Sequence, residues 1–181
     1  MKAWIISISV ILLATVIGLS YYLYEVTADP IRDRQDEAIT LAGETVDFSE
    51  VREVNYYHGS KSYQIIDAVD DEGNDIYIWV EEIKEIEEID ESEETNEIEE
   101  SEESEEAKIE VRLQSEGLTK QEVIEIVQDE LIIERLKSVR LGMIGSTPVY
   151  EVNYIDDEDR HSFYYLTFAE GTYMRHYQFL S

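Results

Sequence analysis

Cysteine is absent from this 181-residue chain, which excludes disulfides, thiolate metal sites and cysteine nucleophiles while leaving the compartment open. Basic residues are scarce. Lys and Arg number 14 against 43 Asp and Glu, a net charge of −29. Such a field repels nucleic acid, which is therefore not an expected partner. Histidines number three, His58, His161 and His176. The chain has no GxSxG elbow, no HExxH helix and no glycine-rich phosphate loop to accompany them. The expectation is no catalytic residue, no cofactor, no metal site and no small-molecule substrate. A calcium loop fails as well: with Gly73 at its sixth position, Ala68 falls where the first carboxylate ligand must stand. Asp71-Glu72-Gly73-Asn74 reads instead as turn chemistry.

Charge is also missing from Trp4 to Tyr24, 21 residues flanked by Lys2 and Glu25. As a helix this segment spans about 30 Å, the thickness of a bilayer's hydrocarbon core. Tyr21, Tyr22 and Tyr24 crowd its outer end like an interfacial aromatic belt. The competing reading is a secretory signal cleaved near Val26-Thr27-Ala28, but the apolar run exceeds the usual signal core. The expectation is a single-pass anchor over 4–24 with a cytoplasmic tip, 1–3, and the remainder outside the cell membrane. Lys2 against Arg32 and Arg34 gives only a weak orienting bias.

Acid is concentrated. Sixteen acidic residues and one lysine lie between Glu81 and Glu106, so about half the net charge occupies 26 positions. Repulsion among these carboxylates predicts a disordered stretch with a reach of roughly 25–30 Å. On either side, the chain repeats itself with an offset of 86. Tyr63–Val80 aligns with Val149–Leu166, placing Asp70-Asp71-Glu72 on Asp156-Asp157-Glu158. Each copy reads as a strand, a tight acidic turn and an aromatic strand. Val51–Tyr57 and Leu136–Met143 are the preceding strands, and helices over Ile31–Ala42 and Lys120–Leu131 precede those. Thr119 and Glu122 form a capping box for the second helix, while Pro30 suits the opening turn of the first. Tyr173–Leu180 closes the second unit, and Lys108–Leu113 is the matching strand of the first.

The predicted class is thus α+β: an N-terminal transmembrane helix, then two small helix-plus-antiparallel-sheet domains, 30–114 and 115–181. The acid run becomes an insertion, 84–107, in a hairpin of the first domain. A plain interdomain tether is the alternative.

Alternation along Ile76–Val80 puts Ile76, Ile78 and Val80 on one face and Tyr77 and Trp79 on the other; the repeat places Phe163 and Tyr165 correspondingly. If one helix covers each sheet's aliphatic face, these four aromatics stand on the open side as candidate partner contacts. Alternatively, the two units press their aromatic faces together.

The layout, with Tyr77-Ile78-Trp79-Val80, Ser115-Glu116-Gly117-Leu118-Thr119, Tyr150–Asp156 and Tyr165–Gly171, resembles the TseB (YpmB-like) family. That resemblance implies membrane-anchored proteins with tandem cystatin-like or PepSY-like domains. It implies a non-enzymatic regulator of cell-wall elongation, a regulator of peptidoglycan synthesis that associates outside the membrane with an elongation-type penicillin-binding protein, a cell-wall transpeptidase. Family members have a tight hairpin where this chain carries its acid run. The alternative function is a PepSY-like inhibitor of a secreted or membrane peptidase.

Overall fold

A computed structural model describes residues 2–83 and 107–180. Helix α1 (Lys2–Thr45) leads into strands β1 (Phe48–His58), β2 (Ser62–Asp70), β3 (Asp75–Glu81) and β4 (Ile109–Leu113). Helix α2 (Lys120–Glu130) and strands β5 (Arg135–Ile144), β6 (Thr147–Ile155), β7 (His161–Thr167) and β8 (Tyr173–Phe179) follow. Two four-stranded antiparallel meanders result, β1-β2-β3-β4 and β5-β6-β7-β8. Met1–Thr40 and Leu41–Ser181 are separate compact units, and both sheets belong to the second.

The helix expected over Ile31–Ala42 is not a separate element. It is the C-terminal part of α1, which continues through Pro30 where a helix start was expected. A proline costs a helix one amide donor, and the Arg, Asp, Gln, Glu and Ala residues that follow sustain the turn pattern. Among the described residues no helix is long and apolar enough to cross a membrane. Most side chains of segment 4–24 lie outside the described ones.

The repeat reappears in backbone detail. Asp70 Oδ1 accepts from the amides of Glu72 and Asn74 at 2.9 and 2.8 Å. Asp156 Oδ1, 86 residues on, accepts from those of Glu158 and Arg160, both at 3.0 Å. The tight turn requires a left-handed residue, supplied by Gly73 (φ 86°) in one copy and Asp159 (φ 59°) in the other. Both types adopt that conformation more readily than most.

Strands β3 and β4 pair antiparallel from Ile76–Leu113 to Val80–Ile109, and Lys108 O accepts from Glu81 N at 2.9 Å. The acid run therefore joins neighbouring strands of one sheet, as a hairpin connection does. The insertion expected over 84–107 lies outside the described residues up to position 106.

Helix α2 packs its Val123 and Val127, both fully buried, on Tyr150, Val152, Tyr154, Tyr164 and Leu166. Burial of each such aliphatic side chain stabilises by about 1.5–3 kcal/mol relative to exposure. The capping box is formed: Thr119 Oγ1 accepts from Glu122 N at 3.2 Å, and Glu122 Oε2 from Thr119 N at 2.7 Å. Two tyrosines fasten the helix ends, with Tyr150 Oη donating to Leu118 O at 2.6 Å and Tyr164 Oη to Glu130 Oε2 at 2.8 Å.

The sheets meet through the aromatic face of the first. Tyr57, Tyr63, Ile65 and Trp79 pack with Met143 and Leu141 of β5, an edge strand of the second sheet. Trp79 Nε1 donates to Gly142 O at 3.0 Å. Gly142 has no room for a side chain, since a Cβ there would lie 2.5 Å from the Tyr57 ring. A glycine within a strand commonly marks such close approach.

Candidate docking surface

The four aromatics singled out from the sequence separate into two pairs. Tyr77 and Trp79 lie between the sheets. Trp79 is wholly buried and Tyr77 half-buried, and each packs edge-on against Phe168, with ring centroids 5.7 and 6.0 Å apart. Leu118 N and Pro148 O hold the Phe168 backbone at 2.9 Å each. Trp79 is neither on an open face nor pressed against its counterparts Phe163 and Tyr165; it is buried against β5 and Phe168. The face it meets is not the one bearing Phe163 and Tyr165. Strand β5 and Phe168 fill that role for Trp79 and Tyr77.

Phe163 and Tyr165 instead stand half-buried on the far side of the second sheet, opposite Tyr164 and Leu166, which face α2. Strand β8 adds to this surface. Pairing of Phe163 with Tyr177 and of Tyr165 with Arg175 puts the β8 side chains alongside. Phe163 meets Phe179 at 6.0 Å and Tyr165 meets Tyr177 at 6.0 Å, both edge-on. The Arg175 guanidinium sits 5.6 Å from the centre of the Tyr177 ring. Tyr177 and Phe179 remain 42% and 55% exposed, so a patch of four rings and one cation faces solvent. A register break between Tyr165 and Leu166 turns Tyr173 to the other side, where it packs on Tyr164.

Polar groups fix the patch from beneath. Tyr165 Oη donates to Glu151 Oε2 at 2.9 Å, and Arg140 pairs with the other oxygen of this buried carboxylate. Burial, reinforced by the bond to Glu151, raises the Tyr165 hydroxyl pKa, and burial pushes Tyr57 up to about 12. Both stay neutral donors over the physiological range. At the other face, Tyr154 Oη and His176 Nε2 are 3.1 Å apart, and burial together with the Arg160 charge lowers the imidazole pKa.

A cleft of about 460 Å³ opens beside Trp79 between Lys61, Tyr63, Glu81, Lys108 and Met143. Within it Lys61 pairs with Glu81. His58 Nδ1 and Tyr56 Oη both reach Ser62 Oγ, at 2.9 and 3.1 Å, which clasps the β1–β2 turn. His161 lies exposed at the start of β7. Among the described residues no three His, Cys, Asp or Glu are placed to hold a metal ion.

The Cell wall elongation regulator TseB-like domain family matches residues 37–81. Over 165 residues, 91% of this chain and 89% of the relative, the sequence is 24% identical to the probable cell wall elongation regulator TseB of Bacillus subtilis (strain 168). The chain is thus similar to TseB-like proteins, by a family model over part of its length and by one relative over most of it. The solved YpmB protein from Bacillus subtilis superposes with a TM-score of 0.64 at 23% identity, covering 79% of this chain and 95% of that one. At that identity the likeness concerns the fold. The TseB-like match ends at Glu81, the last residue of β3, where the acid run begins.

Sequence reasoning missed the β8 contribution. Tyr177 and Phe179 alternate with polar residues, and from His161 to Leu180 the only acid is Glu170. In a chain this acidic, that depletion was the available signal.

Proposed function

We propose that this TseB-like protein regulates cell-wall elongation from outside the membrane by binding an elongation-type penicillin-binding protein. The observation that carries the reading is collinear similarity to a probable cell wall elongation regulator over 91% of this chain. Residues 4–24 serve as the single-pass anchor with the N-terminus cytoplasmic, on the strength of 21 uncharged residues. The two sheet units act as cystatin-like or PepSY-like binding modules rather than as enzymes. The patch of Phe163, Tyr165, Tyr177 and Phe179 supports a docking role, because large aromatics left on a sheet surface are the usual anchors of protein interfaces.

The test is crosslinking in living cells from the native locus, with mass spectrometry of the adducts. The expected outcome is a membrane-bound transpeptidase, with altered cell dimensions or β-lactam sensitivity on deletion. Normal morphology and recovery of a peptidase in place of any wall enzyme would overturn the proposal. Protease shaving of intact cells tests topology separately, since a protected C-terminal region would exclude an extracellular body.

A further inference from the structure

Strands β1, β4, β5 and β8 are the sheet edges. Three are defended. Strand β5 lies against the first sheet. Strand β1 carries two register breaks and the charges Glu50, Arg52 and Glu53. Strand β4 has five residues, two of them Glu110 and Arg112. Bulges, charges, shortness and cover are the devices by which edges avoid pairing with other chains. Strand β8 largely lacks them: beyond its break at Met174, the regular run Arg175–Phe179 contains no proline, lysine or acid. In an antiparallel ladder half of an edge strand's peptide groups point outward. Among the described residues no strand pairs with those of β8.

An unpaired row of amides and carbonyls recognises an extended backbone, and the flanking side chains set its sequence. Arg175 supplies the charge preference, because among the described residues no carboxylate forms an ion pair with it. Its surroundings from His161 to Leu180 hold one acid, Glu170, in a chain with 43. A second copy of this chain is a poor occupant, because it would join two bodies of net charge −29.

We propose that β8 takes up an extended segment of another polypeptide as a fifth strand of the second sheet, with an acidic residue facing Arg175 and apolar residues over Tyr177 and Phe179. The inference deepens the regulator reading by giving its partner contact a geometry; only the partner's identity rests on that reading.

The probes are two synthetic peptides, Thr-Xaa-Thr-Val-Thr-Val-Thr, with Xaa either Glu or Lys, so that Xaa and the two valines share one face. Each is added to the full chain in mild detergent, and amide hydrogen exchange is followed. The Glu peptide is expected to slow exchange in Arg175–Phe179, leave β1 and β4 unchanged, and bind about threefold to tenfold tighter than the Lys peptide. Phe179→Lys, which places a gatekeeper charge on an exposed position, should abolish the protection without changing the melting temperature. If that variant unfolds, Arg175→Gln replaces it and should erase the Glu preference. No protection of β8, or equal binding of both peptides, overturns the proposal. So does a dimer of the chain that Phe179→Lys dissolves. In cells, a transpeptidase captured from a photo-crosslinker elsewhere but never from position 177 or 179 would sink strand addition and spare the regulator reading. Protection of β8 without any wall enzyme recovered would do the reverse.

Discussion

Replacing Trp79 separates the two roles its sequence position suggested. On an open face, Trp79→Ala would leave stability unchanged and weaken docking. The structure reverses that expectation. The side chain is wholly buried, its Nε1 bonds Gly142 O at 3.0 Å, and its ring packs edge-on to Tyr77 and Phe168 at 5.9 and 5.7 Å. Truncating a buried tryptophan to alanine costs about 3–5 kcal/mol, the lost transfer energy plus the cavity left behind. For a body of this size that corresponds to a fall in Tm of roughly 6–20 °C. Trp79→Phe keeps most of the apolar volume and loses the donor, so it should cost about 1–3 kcal/mol. Scanning calorimetry of the full chain reads both. Because Gly142 is 63 residues from Trp79, the coupling should reappear in a double-mutant cycle with Phe168→Leu as non-additivity. A Trp79→Ala protein melting within about 2 °C of the parent would mean less than about 1 kcal/mol at stake and would refute the buried interface.

Other outcomes follow from the same geometry. Gly142→Ala forces a methyl group against the Tyr57 ring and should destabilise by about 1–3 kcal/mol, with Tyr57→Leu relieving part of the loss. Thr119→Ala removes the capping box and should cost about 1 kcal/mol in denaturant unfolding. His176 has a folded pKa below its ordinary 6.5, so the unfolded state binds the proton first; stability should decline as pH falls through 6.5 toward the lower folded value. His176→Gln should flatten melting curves in that window, where Tyr154, Tyr164, Asp156 and Arg160 are the surrounding groups. Burial opposes the charge of Asp156, but bonds from the Arg160 and Glu158 amides and the Arg160 side chain outweigh it and lower the pKa. Its stabilisation is present above the ordinary aspartate range and is lost as pH drops through the folded value, so Asp156→Ala should remove part of the acid-limb slope below about pH 4.

Local chemistry was legible. Alternation marked the strands, Thr119 and Glu122 marked the helix start, and the 86-residue offset located both Asp-initiated turns. The offset also suggested that the acid run interrupts a hairpin, because Lys108–Leu113 had to complete a sheet; β4 pairs as that argument required. What alternation cannot say is which face meets which element. Ile78 and Trp79 are both wholly buried, one on each face of β3, so an open side for Trp79 could not be inferred from one covering helix. The deciding contact joins residues 79 and 142, and its trace in the sequence is a glycine inside a strand. Helix α1 was misdivided because Pro30 fits a first turn and also fits a helix that tolerates one missing bond.

The repeat supplies two equivalent aromatic pairs, and the molecule uses them differently. Tyr77 and Trp79 are placed where β5 and Phe168 cover them, so their apolar area contributes to cohesion between the sheets. Their counterparts Phe163 and Tyr165 lie between β6 and β8, with Tyr177 and Phe179 extending the same face outward. The difference is reinforced by charge. Asp67 flanks Tyr77 in the first copy, whereas the position 86 residues on is Asn153, and no acid accompanies Phe163 or Tyr165 along β7. Equivalent strands have thus diverged into one whose aromatic pair packs between the sheets and one whose aromatic pair stays half-exposed on a strand without acidic residues. A large net charge of one sign opposes casual association over most of a surface. The stretch that lacks it is where selective contact meets the least electrostatic resistance, and in this chain that stretch is β7 and β8.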